Sequence, residues 1–345
     1  VCEWHEGMRV VMCYAPFVPY ALADGLTAIL PDMDFSRPGA AHPRRVVQAL
    51  ADHGASCAFA SPIIWRHLSR YCERRGIVLP ALQRAVTAGA PVPARLHRRL
   101  GPILGPGGRL YTPYGATEAM PLSTTNTEEL AGTWDRSRSG EGTCVGRPFS
   151  GIDLWIIRVT DDPIPRWSDE LPVRPGDVGE IVVGGAVVSP AYPLRPDDTT
   201  QAKIRRDGRL LHRMGDLGRV DAQGRLWFCG RKADRIQTRH GMLPAQAIEN
   251  IFNEHPMVFR TAVVGVGAPG AAIPVALVEM EEKAAFSSDV VTELRSLAEG
   301  TRFAGTVQRF YSHPAFPVDA RHNSKIRRDE LARWATRVLG REGTV

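Results

Sequence analysis

From Leu26 to Pro113 short apolar runs alternate with segments of helical spacing, and this alternation restricts the fold more than any other feature of the chain. Leu26–Leu30, Cys57–Phe59, Arg84–Thr87 and Arg109–Tyr111 read as strands. Pro43–His53, a segment opening at Ser61-Pro62 and running to Arg74, and Pro93–Leu104 read as helices, two of them with proline at the first turn and one with a serine cap. Strands separated by helices predict a mainly parallel sheet with helices on its faces, a fold whose ligands bind beyond the carboxyl ends of the strands.

After Gly140 the character changes. Ile152–Val159, Gly179–Val183, Arg209–Met214 and Leu226–Cys229 are strand-like and are separated by turn-forming Asp-Asp-Pro, Arg-Pro-Gly-Asp and Ala-Gln-Gly, which predicts a small antiparallel or barrel-like subdomain. A third regime starts near Arg231. It combines helices at Pro244–Phe252, Val290–Glu299 and Ile326–Leu339 with strands at Thr261–Val266 and Ile273–Glu279, an α+β module of domain size. The expected division is therefore 1–140 (α/β), 141–230 (β-barrel-like) and 231–345 (α+β). A chain of 345 residues is long enough for more than one core.

Composition excludes several classes. The net charge is +6, but arginines are scattered through every segment with acidic residues beside them, so the chain lacks the clustered footprint of a nucleic-acid binder. Six cysteines, at 2, 13, 57, 72, 144 and 229, form neither a C-x-x-C pair nor a zinc-ligand spacing, which points to a reduced, cytoplasmic setting. The best apolar run, Val10–Leu30, is broken by Pro16, Pro19 and Asp24 and is neither a membrane span nor a signal peptide. The first residue is Val, which suggests a chain trimmed at its N-terminus. Lysine occurs only at 203, 232, 283 and 325, so each ammonium group merits a question.

The chemistry gathers in a few words. Tyr111-Thr112-Pro113-Tyr114-Gly115-Ala116-Thr117-Glu118 places an aromatic ring, a glycine, a hydroxyl and a carboxylate in one predicted loop after a strand. The ring of Tyr114 suits a nucleobase, Gly115 allows close approach of a ligand, and Thr117 beside Glu118 suits a phosphate and its Mg²⁺. Thr87-Ala88-Gly89-Ala90-Pro91 stands at another strand end and can form a facing wall. Each piece also has an ordinary reading, as a capped helix start or a strand-to-helix turn. Asp216, after Gly215, can accept two ribose hydroxyls or support a turn, and Arg231, after Gly230, can reach an oxyanion or form a surface ion pair. Lys325 precedes the last helix and is either solvated or a cation for a reacting carboxylate and phosphate.

Taken in order, Gly89-Ala90-Pro91, Tyr114-Gly115-Ala116-Thr117-Glu118, Gly215-Asp216, Gly230-Arg231 and Lys325 resemble the adenylate-forming superfamily of acyl-CoA synthetases, luciferases and peptide-synthetase adenylation domains. Within it, Ile29–Asp34, Thr87–Pro93, Cys144–Pro148, His212–Asp216 and Leu226–Ala233 are most similar to the olefin β-lactone synthetase group. The resemblance implies an α/β fold: a partial large domain, made of a parallel subdomain and a small β-barrel, followed by a mobile α+β domain. It implies ATP as substrate and Mg²⁺, with adenylation of a long-chain 2-alkyl-3-hydroxy acid followed by lactone closure by its own 3-hydroxyl. Other enzymes of an olefin pathway are implied as partners. Gly89, Ala90, Pro91 and Tyr114 would hold the adenine, with Gly115 also nucleotide-binding, Thr117 would touch the phosphate and Glu118 hold the Mg²⁺; Asp216 would take the ribose hydroxyls, Arg231 would support the ribose or phosphate, and Lys325, with Thr117 and Glu118, would serve adenylation. The glycine-rich phosphate loop that the superfamily carries upstream is absent, and Ala233 stands where a hinge Asp or Lys is common. Thr238–Met242 departs from the Arg-Gly-x-Arg run of CoA-using members, which fits a CoA-independent enzyme. A ligase making an acyl-CoA or acyl-carrier thioester, and an inactive nucleotide-binding fragment, are the alternatives.

Overall fold

A computed structural model describes residues 3–90, 92–282, 284–319 and 325–342. The chain forms two compact units: Val1–Tyr114 with Thr124–Gly132 and Val318–Ile326, and Gly115–Ser123 with Thr133–Pro317 and Arg327–Val345.

The first unit is the expected strand-helix alternation. Its elements are β1 (Arg9–Met12), α1 (Val18–Ala23), β2 (Thr27–Ile29), α2 (Pro43–Asp52), β3 (Cys57–Phe59), α3 (Pro62–Glu73), β4 (Arg84–Val86), α4 (Ala94–Leu100), β5 (Arg109–Ala116), β6 (Ala119–Asn126) and α5 (Thr127–Ala131), except that Gly115–Ser123, the end of β5 and the start of β6, cluster with the second unit. The sheet order is β2-β1-β3-β4-β5-β6, and the pairs from β2 to β5 are all parallel. Alternate residues divide between two cores, as strands covered on both faces require. Val11, Ala58, Ala85 and Leu110 pack with α2, α3 and α4 around Trp65, Leu68 and Leu100, while Val10, Met12 and Cys57 pack with Ala21 and Leu26 on the other side. Trp65 is fully buried and donates its indole N–H to Val86 O at 3.0 Å, so its polar edge is satisfied inside the core.

β1, α1, β6 and α5 have no counterpart in the sequence reading, and two boundaries near the site differ from it. α4 ends at Leu100, because Gly101-Pro102 ends the helix before Leu104. β5 runs on to Ala116 and turns into β6, so Tyr114 and Gly115 stand in a strand and only Thr117 and Glu118 form the turn. Gly115 is required by that geometry itself: a Cβ there would lie 2.9 Å from Ala119 O.

The second unit opens with α6 (Trp134–Arg138) and β7 (Thr143–Gly146) and continues through β8 (Asp153–Ile157), β9 (Gly179–Gly184), α7 (Pro196–Ala202), β10 (Lys203–Arg206), β11 (Arg209–Val220) and β12 (Leu226–Arg231). These strands make an antiparallel sheet of order β7-β12-β11-β9-β8, with β10 also paired to β11. Then follow β13 (Ile236–Thr238), β14 (Gly241–Leu243), α8 (Ala245–Phe252), β15 (Val258–Val266), β16 (Ile273–Met280), α9 (Ser288–Ala298), β17 (Arg309–Ser312) and α10 (Arg328–Glu342). β15, β16 and β17 form a three-stranded sheet against which α8 and α9 bury Ile248, Phe252, Val290 and Leu294.

Two buried ion-pair networks hold this unit together. Glu180, 1% exposed, accepts from Arg213 at 2.7 Å and from Lys232 at 3.2 Å, and both cations also donate to the carbonyl of Thr160. Arg328 forks onto Glu249, itself 1% exposed, and also pairs with Asp234 at 3.2 Å. The first network fastens Lys232, next to Arg231; the second fastens the start of α10 to α8.

Candidate active site

Asp216 and Arg231 face each other across the ladder of β11 and β12. The Arg231 Nη1 donates to Asp216 Oδ1 at 2.6 Å; the Asp216 side chain is almost wholly buried, whereas Arg231 is more than half exposed. β11 loses register against β9 between Arg213 and Leu217, and Gly215 lies in that irregular stretch with φ at +64°, where a Cβ would be strained. The bulge presents a carboxylate at a break in the sheet, with an exposed guanidinium as its partner. A ribose diol can take the remaining lone pairs of such a carboxylate.

Glu118, half-buried in the turn between β5 and β6, lies in the same unit. Ser189 N donates to Glu118 O at 2.8 Å, and Ala119 bridges to Val188, which pins the turn. Burial first, then the neighbouring Glu118 carboxylate, push the pKa of the Tyr192 hydroxyl up to about 12. Tyr192 also feels Arg231, so Glu118, Tyr192 and the Asp216–Arg231 pair belong to one electrostatic neighbourhood. Lys203 is 6% exposed and its pKa is lowered by burial, against which the charge of Glu118 acts. His212, its direct ladder partner, is 2% exposed and pushed down to about 4 by burial and by Lys203, so the imidazole is neutral. Thr117 is exposed beside Glu118.

In the first unit Gly89 and Ala90 follow the end of β4 and Tyr114 stands near the end of β5, half-buried. These two strands are adjacent and parallel, so the words predicted to face each other do leave the same edge of one sheet. Thr87, at the end of β4, is fully buried and its hydroxyl has no partner among the described residues. Lys325 belongs to this unit too: its N–H donates to Asp319 Oδ1 at 2.9 Å, its carbonyl accepts from Asp319 N, and its side chain is exposed. Pro91 lies outside the described residues.

Sequence reasoning missed Tyr192, Lys203 and His212 as neighbours of Glu118. Lys203 had a signal, as one of four lysines, and His212 stood inside the word that holds Asp216. Tyr192 had none. Among the described residues no group of three His, Cys, Asp or Glu side chains can hold a metal by itself. A single carboxylate fits an ion whose other ligands are phosphate oxygens and water, as Mg²⁺ on a nucleotide requires. No helix among the described residues is long and apolar enough to cross a membrane.

Comparison with known proteins bears on this arrangement. Residues 8–193 match the model of the AMP-binding enzyme family. Over 329 residues the chain is 43% identical to an olefin β-lactone synthetase of Xanthomonas campestris pv. campestris, covering 92% of this chain and 58% of that protein. A second olefin β-lactone synthetase, from Stenotrophomonas maltophilia, is 42% identical over 94% of this chain and 59% of its own length. The chain thus spans about three-fifths of these relatives. Among solved structures, the amide bond synthetase McbA from Marinactinospora thermotolerans superposes with a TM-score of 0.76 at 23% identity, over 96% of this chain and 63% of that one. An anthranilate CoA ligase, AuaEII, in complex with anthranoyl-AMP gives 0.77 at 17%, over 99% of this chain and 62% of its own; likenesses this distant establish the fold. On the family match and the two close relatives, the chain belongs to the AMP-binding, adenylate-forming enzyme family.

Proposed function

We propose that this chain carries most of the site of an AMP-forming enzyme that activates a 2-alkyl-3-hydroxy fatty acid and closes it to a β-lactone. The observation that carries the reading is the identity of 42–43% with two olefin β-lactone synthetases, which extends over more than nine-tenths of the chain. Its position within the family sets the first half-reaction. The acid carboxylate attacks the α-phosphorus of ATP, pyrophosphate leaves, and an acyl-AMP results. In the second, the 3-hydroxyl attacks the acyl carbon, loses its proton and expels AMP, giving a four-membered lactone.

The residues suit these steps. Asp216, held by Arg231, accepts the ribose hydroxyls and fixes the nucleotide in register. Gly89, Ala90, Pro91 and the ring of Tyr114 form the adenine wall, with Gly115 shaping the strand that carries it. Glu118 takes the magnesium, which supplies positive charge to the phosphate oxygens, and Thr117 hydrogen-bonds to phosphate. Two anionic oxygens must meet for adenylation, and Lys325 offsets their repulsion. We read the chain as three parts, 1–140, 141–230 and 231–345, although Lys325 clusters with the first compact unit rather than with the rest of the last part. The departure at Thr238–Met242 favours lactone closure over transfer to a thiol.

Oxygen-18 placed in the substrate carboxylate tests the activation step. The label should appear in AMP, with acid-dependent exchange of pyrophosphate into ATP; label retained wholly in the organic product contradicts an acyl-AMP. Lys325→Ala should slow the exchange about a hundredfold while nucleotide affinity, read by calorimetry, changes less than threefold.

A further inference from the structure

The even scatter of charge expected from the sequence fails in one stretch. From His53 to Thr117 the chain has nine arginines and a single acidic residue, Glu73, a larger excess of positive charge than the net +6 of the whole molecule. The fold gathers this charge on one surface. Arg84 and Arg109 stand on strands and pair with acids from elsewhere in the first unit, Glu3 at 3.8 Å and Glu128. The other seven lie on α3, in the two residues that follow it, and on α4, helices that pack together on the same face of the parallel sheet. Glu73 pairs with Arg99 at 3.5 Å. Cations in the last turn of a helix complement its dipole, which accounts for a few of these side chains and not for the groove beside them.

That groove opens between the end of α3 and α4, with a volume of about 460 Å³, within the range of small-molecule sites. Its lining is mainly apolar. Buried Ile103, half-buried Ile77 and Val78, which is 54% exposed, stand beside Arg95, Arg98 and Arg99. Apolar surface bordered by guanidinium groups complements an amphiphile with an anionic head, since phosphate suits the arginine fork and acyl carbon suits the apolar lining.

We propose that this face of α3 and α4 docks on a bilayer surface that carries anionic phospholipid, with headgroup phosphate on the arginines and Val78 against the acyl boundary. Such a face lies on the membrane and does not cross it. Each arginine near an anionic bilayer strengthens binding about fivefold, so the cluster acts as a unit. Nucleic acid would answer to the arginines too, but base stacking needs open aromatic faces, and the ring of Tyr71 in α3 is covered by the Arg75 guanidinium at 4.2 Å. The inference is independent of the nucleotide site.

The test is sedimentation of the protein with vesicles of phosphatidylcholine alone and of phosphatidylcholine mixed with about 30% phosphatidylglycerol. Binding should be confined to the anionic vesicles and should weaken as salt is raised. Arg74, Arg75 and Arg98 are exposed, and Arg74→Glu/Arg75→Glu/Arg98→Glu should weaken binding by at least about thirtyfold. If that variant does not fold, Arg98→Glu alone should weaken it about fivefold. Arg174→Glu/Arg209→Glu/Arg333→Glu makes the same charge change at exposed positions of the other unit and should bind within about threefold of the parent. Val78→Ser, which leaves the charge alone, should weaken binding about threefold. Inorganic phosphate at the concentration of the lipid phosphate should not compete, which separates a bilayer headgroup from a free anion. Equal binding to neutral vesicles, an equal loss in the two triple variants, release by inorganic phosphate, parent-like binding by Val78→Ser, or tighter binding to a DNA duplex than to anionic vesicles each overturns the proposal.

Discussion

At the scale of single residues, the pairing of Asp216 with Arg231 is the most informative contact in the molecule. A carboxylate this buried needs a partner, and the guanidinium supplies one from the neighbouring strand. Asp216→Asn keeps the shape and removes the charge. It should weaken nucleotide binding by roughly 2 kcal/mol, about thirtyfold, as measured by calorimetry, with little change in fold by circular dichroism. Asp216 was legible in the sequence because glycine before a carboxylate at a strand-like segment is a recognisable word. Its link to Arg231 was not, because a cross-strand partner depends on a register that two bulge-like shifts alter. Tyr192 was hidden for a related reason: it comes near Glu118 electrostatically through a loop fixed by the Ser189 backbone bond and by the Ala119–Val188 bridge, neither of which has a sequence signature.

At the scale of elements, periodicity revealed what packing enforces. α2 and α3 carry Val46, Leu50, Trp65 and Leu68 at helical spacing against the sheet, and the strands they cover are continuous apolar runs. Short strands escaped notice. β7, β10 and β17 have only four residues each and no regular strand–helix alternation around them to mark them, as β2, β3 and β4 have, and β10 begins with a lysine that the fold buries. The start of α10 depends on charge rather than on apolar spacing. Arg328 neutralises Glu249 in α8 and Asp234 before β13, and burial raises the Asp234 carboxyl above its ordinary range despite that cation. Arg328→Met leaves Glu249 buried without its counter-charge. The unit that contains it should lose about 3–5 kcal/mol, read as a lower urea midpoint. A variant as stable as the parent would mean that water reaches Glu249.

At the scale of the whole molecule, each compact unit hides one neutral histidine. Burial draws His97 and His212 down to about 4, and their ordinary value is 6.5. Because the unfolded chain takes up these protons at higher pH than the folded one, stability is level above about pH 6.5 and falls as pH drops toward 4. Each group accounts for roughly 3 kcal/mol by pH 4. Urea unfolding between pH 7 and 5, above the range where depressed carboxyls such as Asp221 titrate, should show about 2 kcal/mol of this loss per group, and a His97→Gln/His212→Asn double variant should not. The parallel α/β half was legible because its strand-helix period is local. The antiparallel half was legible only as a class, since the order β7-β12-β11-β9-β8 joins segments far apart in the chain. The central claim is chemical, and product mass tests it most directly. Incubating the protein with ATP, Mg²⁺ and a racemic 2-alkyl-3-hydroxy acid, without CoA, should release pyrophosphate and AMP and yield a product one water lighter than the acid. A product formed only when CoA is present, with the mass of a thioester, would contradict it.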